Sequence, residues 1–237
     1  MIMGTIVKLG TLLLDGICNA PGSEYRPNQE ISFGLGKDLR WVVVNGLLIA
    51  DRSLLVNISW DDLNRQNLVF GKPVTINGQQ FLCRLLKIGD SDTVPNEWDS
   101  ALEMTNEEDS LWHWSQAFFW GMENIQSSYH PYRGCSSARC WSWNIASSRS
   151  ALIGFRPALE PLPAEQLAAG DRVCAIGGQS ALYGKILEFT DYDIVLRPRP
   201  RSKTSTLDNG KFYTRMPDGT VVIEHGKMTI QAIGKGF

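Results

Sequence analysis

What this chain has little of narrows it first. Only three of its 237 residues are histidine (His113, His130, His225), and none stands at a metal-ligand spacing from another. No Ser-His-Asp arrangement, phosphate-cradling glycine loop or HExxH motif is present. The sequence therefore predicts no catalysis and no cofactor. Five cysteines (Cys18, Cys83, Cys135, Cys140, Cys174) are an odd number on a long chain and contain no CxxC pair, which excludes a disulfide framework and a zinc half-site. Charge of either sign is scarce in excess: the formal net charge is −2, so the protein as a whole is no electrostatic binder of nucleic acid or membranes. Long apolar runs are missing too. MIMGTIVKLGTLLLDG carries a short one broken by Asp15, which reads neither as a signal peptide nor as a membrane span. The expectation is synthesis in a cytoplasm, with release or association with a virion as a later fate.

What is present is tryptophan, and it is clustered. Six of the eight (Trp98, Trp112, Trp114, Trp120, Trp141, Trp143) fall between residues 98 and 143. Large rings with N–H handles, mixed with Gly, Ser, Asn and Arg, suit a loop-rich layer held by ring packing and side-chain hydrogen bonds. Earlier in the chain the signals are β. WVVVNGLLIAD and KPVTINGQQFLCRLL each place two apolar runs around an Asn-Gly pair, at Asn45-Gly46 and Asn77-Gly78. Between them Ser59-x-x-Asp62 reads as a short helix or turn. VPNEWDSALEM predicts a helix with Asn96 as its cap and Trp98, Ala101 and Leu102 on one face. A second helix is predicted around Glu107–Phe119, with His113 packed in it. From Gly121 to about Leu152 periodicity is lost, and a long loop with that aromatic density is read as functional rather than disordered. Three prolines in the seven residues from Pro157 to Pro163 suggest a boundary, so two domains are expected, at 1–160 and 161–237. The second part holds four or five short strands, which suggests a small SH3-like all-β barrel.

The segment RGCSSARCWSWNIASSRSALIGFRPAL, Arg133 to Leu159, concentrates the informative chemistry. Arg133, Arg139, Arg149 and Arg156 punctuate an otherwise uncharged stretch, and arginine fixes loops through its forked donors and planar stacking. Small polar residues lie between, a composition that fits a rigid frame carrying adaptable contacts.

The order Trp141-x-Trp143-Asn144, then a Ser-rich loop with Arg149, then Gly154-Phe155-Arg156-Pro157 resembles the C-type-lectin-fold proteins of the formylglycine-generating-enzyme type. More particularly it resembles the variable proteins of diversity-generating retroelements, found in phages and in mobile elements of gut bacteria. The resemblance covers Asn77 to Leu159 and is specific from Arg133 to Pro157. It implies an α+β fold, with a C-type-lectin-like ligand-binding domain ahead of the barrel. It also implies that template adenines are replaced on copying, so that AAC codons become scattered residue types that exclude Trp, Gln, Lys, Glu and Met. Tyr129, His130, Tyr132, Ser136, Cys140, Ser142, Ile145, Ser147, Ser148 and Ser150 are all types such a codon yields, and they are the expected ligand contacts. Trp141, Trp143, Asn144, Arg149 and Arg156 are the expected scaffold. The expected partner is a protein or glycan, with homo-oligomer formation through the segment TIVKLGTLLLDG. In that family the domain usually ends the chain, whereas about 75 residues follow Pro161 here.

Three other readings stand beside this one. Cys135 and Cys140 are similar to the copper-binding pair of formylglycine-generating oxidases, but Gly-Phe-Arg-Pro stands where the enzyme closes with Gly-Phe-Arg-Cys. Asp90, Asp92 and Asp99 could offer oxygens to calcium, yet the stretch lacks an EF-hand pattern and a capped loop is favoured. The run RPRPRSK, with Arg197, Arg199 and Arg201, is the one basic cluster. It makes residues 161–237 the place for any nucleic-acid contact of a phage or mobile-element structural component, although ten basic against eight acidic residues there favour a solvated hairpin.

Overall fold

Asn45 (φ 49°) and Gly46 (φ 77°) both take left-handed backbone, as do Asn77 (φ 51°) and Gly78 (φ 76°). Two such residues in succession make the turn whose twist matches a hairpin. In the computed structural model, which describes residues 4–200 and 202–233, these turns join Arg40–Val44 to Leu47–Ala50 and Lys72–Ile76 to Gln79–Leu85. Both hairpins belong to one antiparallel sheet, in the order Thr5–Lys8, Arg40–Val44, Leu47–Ala50, Pro157–Pro161, Gln79–Leu85, Lys72–Ile76. Pro157 opens its strand, a position that needs no N–H in the ladder.

A second sheet runs Trp141–Ile145, Tyr129–Gly134, Phe118–Trp120, Ile153–Phe155, Leu55–Val56, Ser23–Glu24. The chain steps from it into the first sheet through Arg156 alone, since Ile153–Phe155 lies in one and Pro157–Pro161 in the other. The third sheet takes Thr214–Arg215, Val221–Glu224, Asp193–Pro198, Ser180–Phe189, Arg172–Gly177 and Thr229–Ala232, and a small fourth sheet takes Ile17–Asn19, Thr11–Leu14 and Ile31–Gly34. The third sheet packs on the first: Cys174, Ile176 and Ala181 share an apolar cluster with Trp41, Phe81 and Leu159, and the Gln79 amide donates to Gln231 Oε1 at 2.9 Å.

The expected α+β fold, C-type-lectin-like with an SH3-like barrel behind it, is overturned. The chain is mainly β, with 45% strand, 10% helix and four sheets. The third sheet is an open order whose outer strands, Thr214–Arg215 and Thr229–Ala232, do not pair with each other. The helices that do form are short and have local causes. Trp60–Arg65 starts at a capping box, in which Ser59 Oγ accepts from the Asp62 N–H and the Asp62 carboxylate accepts from the Ser59 N–H. Glu97–Thr105 starts at Asn96, whose side chain accepts from the Asp99 N–H. The helix expected over Glu107–Phe119 shrinks to Asp109–Trp112, because His113 turns left-handed (φ 46°) and ends it. The segment expected to be irregular contains an antiparallel pair, Tyr129–Gly134 with Trp141–Ile145.

The tryptophans explain how so strand-rich a chain closes its layers. Trp41, Trp98, Trp112 and Trp120 are fully buried, and each indole N–H is satisfied: Trp41 by Leu9 O, Trp98 by Ala138 O, Trp120 by Ile58 O, all at 2.8 Å, and Trp112 by Thr105 Oγ1 at 3.1 Å. Arg156 is buried among them. Its guanidinium lies 5.0 Å from the Trp98 ring centre and 4.7 Å from that of Phe119, and it donates to Trp112 O at 2.7 Å and Asp51 O at 3.4 Å. Burial pushes its pKa down to about 9, partly opposed by the Asp51 charge, so it remains a cation at neutral pH. Lysine has no planar fork to reach two carbonyls while lying between two rings. Arg156→Lys is expected to lower the unfolding free energy by about 2–4 kcal/mol in urea titration; a loss under about 0.5 kcal/mol would mean the guanidinium holds nothing together.

Candidate functional site

The pairing Tyr129↔Ile145, Pro131↔Trp143, Arg133↔Trp141 puts these six residues on one face of the hairpin, and His130↔Asn144 and Tyr132↔Ser142 put theirs on the other. The two faces differ sharply. On the second, Tyr132 packs edge-on against Phe118 (4.6 Å) and Trp120 (5.8 Å), while His130 stacks on Trp60 at 3.7 Å and bonds through Nδ1 to Glu123 O at 2.9 Å. Burial lowers the His130 pKa, so its ring is neutral at pH 7. His130, expected as a ligand contact, is instead a buried packing residue, 3% exposed. Tyr132 is half-buried with it.

The first face is buried at one end and open at the other. Arg133, 1% exposed, donates to the carbonyls of Ile88 and Arg139 and to Asp99 Oδ2 at 2.9 Å. Trp141 is half-buried, its N–H on Gly89 O at 3.2 Å. At the open end Trp143 is 51% exposed, Ile145 43% and Tyr129 38%, and the Tyr129 and Trp143 rings meet edge to face at 4.8 Å. Trp143, expected as scaffold, is therefore a displayed side chain. Asn144 is half-buried and accepts from the Ile145 N–H.

The remaining expected contacts fall into two groups. Ser136 (exposed) and Cys140 (half-buried) sit in the loop closing the hairpin. They lie about four strand residues, roughly 14 Å, from the Tyr129–Ile145 end. Ser147 (exposed) and Ser148 (half-buried) sit beside Ile145 at the open end, and Ser142 (half-buried) lies between. Ser150 shapes the next turn, its Oγ accepting from the Leu152 N–H and its carbonyl from the N–H groups of Asn57 and Ile153. A depression of about 430 Å³ lies against this open end, bordered by Trp60, Asp61, Ser128, His130, Ile145 and Ser147.

Two ion pairs hold the loop from below. Arg149 grips Asp62 with both forks, Nε to Oδ2 at 2.7 Å and Nη2 to Oδ1 at 2.8 Å. Asp62 also accepts from Ser59 Oγ at 2.5 Å and pairs with Arg65. Burial alone would raise its pKa; the hydrogen bonds from Arg149 and Ser59 outweigh burial and bring it down to about 2. At the other end Asp99 pairs with Arg133 and with Arg139, at 2.9 and 3.3 Å. Asp99 is thus occupied by cations rather than open to calcium. Cys135 and Cys140 are free thiols, and among the described residues no three or more His, Cys, Asp or Glu gather as metal ligands. Of the basic run, Arg197 is exposed, Arg199 is half-buried with its N–H on Tyr183 O, and Arg201 lies outside the described residues. No helix among the described residues is long and apolar enough to cross a membrane.

Trp60 and Asp62 were not expected at the site. The Ser59-x-x-Asp62 spacing marked a helix start, but its partner Arg149 lies 87 residues on, beyond any local pattern. Comparison with protein-family models, curated proteins and solved structures gives no match. The site's own geometry carries the argument from here.

The Asp62 anchor makes a pH prediction. Its folded pKa is depressed, so its contribution is complete above the ordinary carboxylate pKa near ~4 and is lost as pH falls through about 2. The shift corresponds to about 2 kcal/mol. Asp62→Asn should therefore cost about that much at pH 7, and the gap to the parent protein should close between roughly pH 4 and pH 2 in paired urea titrations. A gap that stays constant with pH would contradict the assignment.

Proposed function

We propose that this chain is a non-catalytic ligand-binding protein. Its recognition surface is the open end of the 129–145 hairpin with the loop through Ser148, and its partner is a protein or a glycan. The single observation carrying the reading is that Tyr129, Trp143 and Ile145 are exposed together on a hairpin whose opposite face is buried or half-buried and whose Arg133 is buried. Exposed aromatics cost hydration and gain nothing for folding, so a cluster of them above a rigid frame suits a surface that a partner covers. Tyr and Trp give large contact area at low entropic cost, and the neighbouring Ser147 and Ser148 give adaptable hydrogen bonding.

The resemblance to retroelement variable proteins adds a source of variety to this reading. Tyr129, Ser142, Ile145, Ser147 and Ser148 are types an altered AAC codon can yield, whereas Trp143 cannot arise that way. On this proposal Trp143 is the constant anchor at the centre, and the residues around it choose the partner.

Replacing Tyr129, Trp143 and Ile145 together by serine should leave the melting temperature within about 3 °C of the parent, since surface substitutions typically stay within about ±0.5 kcal/mol each. On an immobilised glycan and protein panel the parent should retain a subset of members that this variant loses. Exchanging Ser147 and Ser148 should change which members are retained. A fall of more than about 8 °C, or retention indifferent to Trp143, would overturn the proposal.

A further inference from the structure

Thr5–Lys8 is the outermost strand of the first sheet, paired on one side only, to Arg40–Val44. A cavity of about 490 Å³ opens along it, where the third sheet comes against the first. Four consecutive residues, Ile6, Val7, Lys8 and Leu9, line it on one side; Tyr183, Lys203 and Ile233 line it on the other, with Gln79 and Asn77 between. The volume lies within the usual range for small-ligand sites, roughly 300–1,000 Å³.

Its chemistry is lopsided. Val7 and Leu9, on one face of the chain, are buried and Ile233 is half-buried, which gives an apolar floor, with half-buried Ile6 on the strand's other face at the rim. The charged groups lining it are Lys8, Lys37, Arg40 and Lys203, and no carboxylate lines it among the described residues. Arg40 is shared with Asp51, 3.2 Å away, so part of its charge is already answered. Asp38, next to Lys37, accepts from Thr11 Oγ1 instead of pairing with a lysine. Lys8, Lys37 and Lys203 are exposed and make no ion pair with any described carboxylate. Among the described residues, three ammonium groups without an ion-pair partner ring one apolar cleft, a local positive excess in a chain whose net charge is −2. The amides of Gln79 and Asn77 do not add to it: one donates to Gln231 Oε1, the other to Gly36 O.

From this we infer a second ligand site, distinct from the hairpin surface, that takes a small amphipathic anion: an apolar chain or ring on the floor of Val7, Leu9 and Ile233, and a carboxylate or phosphate held by Lys8, Lys37 and Lys203. The apolar body supplies the affinity. The lysine rim selects the sign of the head group, since a cation meets three like charges there and a neutral head gains nothing from them.

Isothermal titration of the intact protein with three twelve-carbon probes below their micelle concentrations tests this: dodecanoate, dodecyl phosphate and dodecyltrimethylammonium. At least one anion should bind with one-to-one stoichiometry and the cation should not. If both anions bind, the head-group charge suffices; if one does, its geometry also counts. Lys8→Glu with Lys203→Glu, both at exposed positions that should leave folding intact, should weaken anion binding at least tenfold. Trp143→Ser should leave it unchanged, which separates this site from the recognition surface. Absence of anion binding, equal binding of the cation, or indifference to the two lysine reversals would each overturn the inference.

Discussion

Arg156 is the residue through which the chain leaves one sheet and enters another, and it does so as a buried cation. Nothing in the ladder requires an arginine between Phe155 and Pro157. What requires it is the junction: two carbonyls, of Asp51 and Trp112, and two ring faces, of Trp98 and Phe119, converge on one point inside the protein. A planar guanidinium donates to two carbonyls from its edge while its charge lies over neighbouring rings, and no other side chain does both. The cost is desolvation of the charge, visible in the lowered pKa. Placed there, it fixes Trp112 and the left-handed His113 that ends the short helix, and it fixes the start of the central strand Pro157–Pro161.

Arg133 repeats the device two strands away, holding Ile88, Arg139 and Asp99. Arg149 repeats it at the surface with Asp62. Three forked cations therefore pin the top, the bottom and the exit of the hairpin segment, and what they leave unpinned is its open end. The exposed Tyr129–Trp143–Ile145 cluster lies on that end. Rigidity beneath and freedom above is the combination a recognition surface needs, because contacts can then change without the frame being rebuilt.

Much of the local structure was legible in the sequence, because its causes are local. Asn-Gly pairs, the Ser59-x-x-Asp62 box and the Asn96 cap each satisfy their own backbone within a few residues, and each appears where its pattern points. The α+β fold rests on the resemblance rather than on the strand signals, and the strand content overturns it. The helix expected over Glu107–Phe119 is cut short by a non-local interaction, since the chain turns at His113 where the Trp112 carbonyl accepts from Arg156. The strands Tyr129–Gly134 and Trp141–Ile145 were hidden for a related reason. Alternation counts arginine and histidine as outward and tryptophan as inward, whereas here Arg133 and His130 are buried and Trp143 is displayed. The same inversion exchanged the roles expected for His130 and Trp143 at the site.

One end of the hairpin is then surface for a partner, and the rest is frame. Saturation mutagenesis of residues 129–152, read out by the abundance of folded protein, separates the two. Broad tolerance is expected at Tyr129, Trp143, Ile145, Ser147 and Ser148, with intolerance at His130, Tyr132, Arg133 and Ala146. Trp143 proving as intolerant as Arg133 would contradict it, because the exposed cluster would then be part of what holds the fold together.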